Sequence, residues 1–226
     1  MDSGGSDNLF EGLFSEQVVI DAGGLSDAQG EIYPEEQACI DGAVFRRRQE
    51  FAAGRIRARR ALARLGILGF PLLVGRGRAP MWPAEVVGSI THCREYCGVA
   101  VARRTDADGL GLDVERIDRV HEALWRHICT PEELAWVDSL ACGQRQPGVA
   151  LVFSAKETFH KCRYPITEQW LDFTDVVVRV DIHRQEYEVG LVVPRQEALA
   201  SSFRGRFLIR DNLVFTGMTL ERATPL

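Results

Sequence analysis

A chain of 226 residues with 46% hydrophobic and 26% charged residues has the composition of an ordinary globular protein, long enough for one large core or two small ones. Its net charge of −5 argues against a general nucleic-acid binder, which carries a basic excess. With no run of about 18 apolar residues, no basic-then-apolar leader and six scattered cysteines that read as reduced, buried thiols, a cytoplasmic protein with no membrane partner is expected.

The first eight residues read as a floppy terminus. From Asp41 to Gly66, DGAVFRRRQEFAAGRIRARRALARLG is rich in Ala, Leu and Arg and closes on glycine, which predicts a long helix. Most of its arginines, Arg47 and Arg48 among them, are expected in solvent. Positions 51, 55, 58, 62 and 65 form an apolar stripe, so Arg55 is expected to face inward, where its fork suits a phosphate. ILGFPLLVGRGRAPMWPAEVVGSITHC, broken by Gly and Pro, reads as loop with short extended pieces. Arg76 and Arg78 place charge on it, and Ser89, Thr91 and His92 supply further donors. His92, Cys93 and Cys97 suggest zinc, but no second ligand pair stands at finger spacing.

YCGVAVARR predicts a strand, TDADG a turn and LGLDVERI another strand. The turn divides the chain best, into halves 1–105 and 106–226 that both mix helices with mostly antiparallel strands, so the class is α+β. On GLGLDVERI, alternation places Leu110, Leu112 and Val114 on one face and Gly109, Gly111, Asp113 and Glu115 on the other. Two carboxylates beside two positions with no side chain to block a ligand suit Mg²⁺ (or Mn²⁺), although a solvated strand face carries the same pattern.

Residues 119–142 and 149–162 read as helical, Thr130 before Pro131-Glu132-Glu133 making a good start. In the second, Phe153, Lys156, Glu157, His160 and Lys161 are expected to share roughly one side. Of 27 basic residues only Lys156 and Lys161 are lysines, a placement that a demand for a compact, rotatable charge explains better than a surface ion pair. Glu157 would complete a metal site with Asp113 and Glu115 or serve as a base, and Lys161 would neutralise phosphate charge as it develops. DFTDVVVRVDIH, YEVGLVV and RFLIRDNLVFTGMTL read as strands, the last a hairpin turning at Asp211-Asn212. There is no P-loop and no nucleophile elbow. The inventory describes metal-assisted phosphoryl transfer from a polyphosphate.

Together, WPAEVVGSITHC, GLGLDVERI and FSAKETFHK, in this order and at these separations, resemble the Sfp-type 4′-phosphopantetheinyl transferases, in particular the branch of enterobactin-synthetase component D and actinobacterial enzymes. The likeness runs from about Phe45 to the end and includes PITEQWLDF and RGRFLIRDNLVFTGMTL. It implies a monomer of two similar α+β halves related by a pseudo-two-fold, with coenzyme A in the cleft between them. The implied reaction moves the phosphopantetheine arm to a serine of an apo acyl or peptidyl carrier protein in secondary metabolism or siderophore assembly, releasing adenosine 3′,5′-bisphosphate. Asp113, Glu115 and Glu157 would then hold Mg²⁺ on the pyrophosphate, and Glu157, or a water it orients, would take the serine proton. Lys161 would balance charge at the phosphoryl group with Lys156 close by. Arg47 or Arg48, Arg55, Ser89, Thr91 and His92 would bind the nucleotide phosphates, the 3′-phosphate above all. Either Arg76 or Arg78 stands for the family's basic residue before its G-x-P turn, and Glu85 replaces a glycine usual in the branch. On the residues alone, a metal-dependent phosphohydrolase and a nucleic-acid binder using the arginine helix remain as alternatives. The second lacks stacking aromatics.

Overall fold

The computed structural model describes residues 10, 12–193 and 202–222, so the expected floppy terminus lies outside the described residues. β1 (Val19–Gly24), β2 (Val86–His92) and β3 (Tyr96–Arg103) form an antiparallel sheet in the order β1-β3-β2. β4 (Ala107–Arg116), β5 (Val176–Asp181), β6 (Glu186–Leu191), β7 (Ser202–Arg210) and β8 (Leu213–Glu221) form a second, in the order β4-β8-β7-β6-β5, again antiparallel. α1 (Pro34–Ala38) and α2 (Phe45–Arg64) precede β2, while α3 (Trp125–Ile128), α4 (Pro131–Ser139) and α5 (Arg145–Thr167) lie between β4 and β5. Helices laid on antiparallel sheets make this an α+β fold, as expected. Among the described residues no helix is long and apolar enough to cross a membrane.

The arginine-rich helix forms within its expected bounds, burying Ala58, Ala61 and Leu62 against Val86, Val99 and Val101 of the first sheet. The hairpin turns where expected, with Asp211 and Asn212 at φ 53° and 63°, the left-handed pair that a two-residue turn between twisted strands requires. The helix expected over 119–142 is instead broken. Proline disfavours helical backbone in the residue before it, and Thr130, ahead of Pro131, is extended at ψ 165° and caps a separate α4. α5 outruns its expected end, passing Pro165 and stopping only where Glu168 turns left-handed at φ 52°.

The apolar face of β4 does not belong to the second sheet alone. Leu110, Leu112 and Val114 pack with Phe10, Val87, Tyr96 and Ala100 of the first half and with Phe215 of β8 in one core. The other face of β4 meets α5. A Cβ on Gly111 would collide with the carbonyl oxygen of Thr158, and one on Gly109 would stand 2.7 Å from that of Cys162. The two glycines therefore make room for the backbone of α5, not for a ligand, and the acidic face of β4 is not a solvated one.

Candidate active site

β4 is the edge strand of its sheet, so the N–H groups it turns away from β8 need partners. β2 supplies them with side chains. Ser89 Oγ accepts from Leu112 N at 3.2 Å and Thr91 Oγ1 from Val114 N at 3.1 Å. Both hydroxyl residues are buried. Expected as phosphate donors, Ser89 and Thr91 are instead joints between the two halves, because an unpaired buried N–H costs more than a cleft-facing hydroxyl contributes.

Asp113 sits at this seam, 2% exposed. Its Oδ1 accepts from Thr91 Oγ1 at 3.0 Å and from Lys161 Nζ at 2.6 Å, and its Oδ2 accepts from Ser154 Oγ at 2.9 Å. Ser154 in turn meets Thr216 at 2.8 Å, and Thr216 meets Thr158 at 2.6 Å, a chain of buried hydroxyls beneath the carboxylate. Burial works against the Lys161 charge, but Asp113 first, then Glu157 and Glu115, outweigh it and push its pKa up. Glu115 and Glu157, both half-buried, feel the opposite crowding. Burial, then Asp113 and Glu157, push Glu115 up to about 8, with Lys161 opposing. Burial also raises Glu157, where Lys161 opposes and Asp113 adds to the rise.

Three acids thus gather around one lysine. The expected cage of Asp113, Glu115 and Glu157 is nonetheless not formed: among the described residues no three His, Cys, Asp or Glu side chains stand as a ready ligand set, and the Asp113 oxygens are taken by Thr91, Lys161 and Ser154. The donor set still fits Mg²⁺, which uses one or two carboxylates and fills its shell with phosphate oxygens and water. A cation there would favour the ionised forms of Glu115 and Glu157, which burial first and then the Asp113 charge disfavour. The His92, Cys93 and Cys97 zinc set does not form either. Cys97 is fully buried, and burial pushes its thiol up to about 12.

Across the seam, His92 ends β2 and accepts a hydrogen bond from Arg47 NH1 on Nε2 at 3.0 Å, its Nδ1 lying 3.7 Å from Glu50 Oε2. Burial, with Arg47 adding to it and Glu50 opposing, holds the imidazole below its ordinary pKa. A cleft of about 370 Å³ runs from His92, Arg46 and Arg94 to Glu115, Arg116 and Arg119. Of the pair left open in the sequence, Arg47 reaches His92, while Arg48 folds back onto Ala43 O at 2.7 Å. Arg55 faces inward as expected, but its Nε donates to Leu72 O at 2.7 Å and its guanidinium lies 4.0 Å over the Phe51 ring. Burial lowers it to about 10, Glu36 opposing and nearby Arg47 adding to the fall. Arg76 and Arg78 stay out of this cluster. Their loop lies on the last turns of α5, Gly77 against Tyr164 and Arg76 paired with Glu168 at 2.9 Å.

Lys156 is the clearest correction. Residues five apart on a helix are about 140° apart around it, so it cannot share the Lys161 face. It is 2% exposed and donates to Ile128 O, Glu133 Oε2 and Phe173 O at 2.9, 2.7 and 2.7 Å. Next to it, a small slot of about 80 Å³ opens between α5 and the chain that follows, with Glu157 and His160 on one side and Trp170, Leu171 and Phe173 on the other. Sequence reasoning assigned no site role to Glu50, Ser154 or Trp170, and it read Glu133 only as part of a helix start. Trp170, in PITEQWLDF, is 68% exposed, and a bulky aromatic in a polar stretch was its only signal.

Known proteins match along most of the chain. The 4′-phosphopantetheinyl transferase N-terminal domain matches residues 35–102 and the 4′-phosphopantetheinyl transferase superfamily matches residues 109–206. The chain is 40% identical over 195 residues to the 4′-phosphopantetheinyl transferase Svp of Streptomyces mobaraensis, covering 84% of this chain and 78% of the relative. It is 30% identical over 223 residues to the 4′-phosphopantetheinyl transferase PptT of Mycobacterium tuberculosis, covering 94% of each. With enterobactin synthase component D of Escherichia coli K12 the identity is 37% over 156 residues, covering 66% of this chain and 72% of the relative.

Proposed function

This chain belongs to the 4′-phosphopantetheinyl transferase superfamily, and on that premise we propose that it transfers the phosphopantetheine arm of coenzyme A to a serine of an apo acyl or peptidyl carrier protein of secondary metabolism or siderophore assembly. The observation that carries this reading is the gathering of Asp113, Glu115 and Glu157 around Lys161 at the seam between the halves, with the Arg47–His92 pair across it.

In this reading the half 1–105 binds the nucleotide phosphates and the half 106–226 does the chemistry. Arg47, hydrogen-bonded to His92, takes the 3′-phosphate beside a cleft that His92 lines and other arginines keep positive. Arg55, close enough to Arg47 for their charges to interact, adds to the positive field there, and an anion would offset the burial that lowers its pKa. The pantetheine arm lies in the slot between α5 and Trp170, which holds the phosphorus that carries it near Glu157. Glu157, its affinity for protons raised by burial, accepts the proton from the incoming serine hydroxyl. The serine oxygen bonds to that phosphorus, the bond to the bridging pyrophosphate oxygen breaks, and adenosine 3′,5′-bisphosphate leaves with the electron pair. Lys161, half-exposed and fixed by Asp113, stands ready for the charge that builds on the phosphoryl oxygens. One or two of the carboxylates Glu115, Glu157 and Asp113 would hold Mg²⁺, which when bound would supply further neutralisation of the pyrophosphate. The protein acts as a cytoplasmic monomer.

The test is the intact mass of an apo carrier protein incubated with coenzyme A and Mg²⁺. A gain of one phosphopantetheine, lost on chelation and in Glu157→Gln, is the expected result. Consumption of coenzyme A with no acceptor present would replace the transferase with a phosphohydrolase.

A further inference from the structure

One wall of the slot beside Glu157 belongs to no strand or helix. Glu168 reverses the chain at the end of α5, and residues 169–172 run back along the helix to the short turn Phe173–Asp175. Contacts from successive turns of α5 hold this segment. Arg163 donates to Gln169 O at 3.1 Å, the His160 and Trp170 rings meet edge to face at 4.5 Å, and Phe153 and Phe173 stand 5.4 Å apart. The last tie is Lys156 Nζ to Phe173 O at 2.7 Å.

That lysine spends all three of its protons on fixed acceptors: Ile128 O at the end of α3, Glu133 of α4 and Phe173 O. Glu133 is as fully used, accepting Thr130 N at 2.6 Å and Val178 N at 2.7 Å besides the lysine. A buried ion pair with well-satisfied hydrogen bonds is roughly neutral for stability against an apolar filling of the same volume, so net stabilisation is a weak reason for it. Its specific product is geometric. Three acceptors around one nitrogen call for an ammonium, since a planar guanidinium fork cannot meet them from one point. This accounts for a lysine where the chain otherwise takes arginine.

We propose that Lys156 is a positioning residue: with Glu133 it fixes residues 169–173 and so sets the slot that holds the pantetheine arm against Glu157. This role rests on the transferase reading above, and it separates the two lysines. Lys161 faces the reacting phosphate, whereas Lys156 shapes the site of the arm from behind.

The test compares wild type with Lys156→Arg, which keeps the charge beside Glu133 but not the three-way geometry, and with Lys156→Met. Amide hydrogen exchange across 169–173 is read first, then affinity for coenzyme A and for adenosine 3′,5′-bisphosphate, then KM and kcat. The expected result is faster exchange at 169–173 and an affinity and KM for coenzyme A weakened about tenfold through lost preorganisation. Binding of the bisphosphate, which has no arm, should be unchanged, and kcat should move less than KM. Should Lys156→Met fail to fold, Lys156→Arg carries the same comparison. Equal weakening of both ligands, a loss in kcat alone, or exchange unchanged in a folded Lys156→Arg overturns the role. A wild-type protein that binds no coenzyme A overturns the transferase reading and this role with it.

Discussion

Gly111→Ala tests the packing that aligns the site. The new Cβ would strike the Thr158 carbonyl oxygen and stand 2.9 Å from its carbon and 3.1 Å from Cys162 Cβ. An ordinary carbon–carbon contact is about 3.5–4.0 Å, and the carbonyl oxygen is nearer still, so α5 has to retreat by about 1 Å or more at that point. β4 cannot yield instead, being paired with β8 along one edge and capped by Ser89 and Thr91 along the other. Overpacking of this kind costs about 1–3 kcal/mol, and a chain of this size loses about 2–4 °C of Tm per kcal/mol. Thr158 follows Glu157 directly, and Lys161 is one turn on, so both move relative to Asp113. A misplacement of about 1 Å costs on the order of a hundredfold in rate. The assay is a thermal melt beside kcat for carrier modification, with Gly143→Ala as control because a Cβ there meets nothing within 4 Å. The expectation is a Tm lower by several degrees and a kcat down at least tenfold in Gly111→Ala, with the control unchanged. A Gly111→Ala protein that melts within a degree of wild type and keeps its kcat refutes the argument.

Thr91→Val strands Val114 N and takes one donor from Asp113. It should cost about 2 kcal/mol, measured by urea denaturation, and a loss under 0.5 kcal/mol would mean that water replaces the hydroxyl. Arg47→Ala should raise KM for coenzyme A at least tenfold while leaving KM for 3′-dephospho-coenzyme A unchanged. An equal rise for both would place Arg47 away from the 3′-phosphate. Glu115 supplies a pH signature. Without a cation its folded pKa is about 8 against an ordinary 4.5, so the folded state holds the extra proton between these values and stability should fall as pH rises through that window. Mg²⁺ favours the ionised form, so the Tm gain on adding Mg²⁺ should be larger at pH 8 than at pH 6. A gain independent of pH would detach Glu115 from the ion.

What the sequence made legible were features whose cause is local. Ala, Leu and Arg in series make α2, a tolerance for positive φ makes the Asp211-Asn212 turn, and strand alternation puts Asp113 and Glu115 on one face. The spacing of Glu157 and Lys161 on α5 also holds, because four residues return a helix to the same side. Features with distant causes were not legible. Ser89 and Thr91 have the right chemistry for phosphate, but which partner they take depends on a β4 edge more than 20 residues away in sequence. Lys156 finds Glu133 on another helix, and no local pattern announces that pair. β1 passed unnoticed because VIDAGG carries little alternation; pairing with β3 makes it a strand.

The seam between the halves is stitched by hydroxyls reaching backbone N–H groups over a core to which both halves contribute, with no ladder shared between β2 and β4. The chain is thus cuttable but not divisible. The exposed turn between β3 and β4 can be nicked, since no strand pairing or core contact is lost there. Either piece made alone would present bare apolar strand faces, and the second would also bare the N–H edge of β4, an open template for self-association. Two separately expressed pieces should regain activity only when they meet, which makes this seam a natural place to put transferase activity under the control of an outside dimeriser.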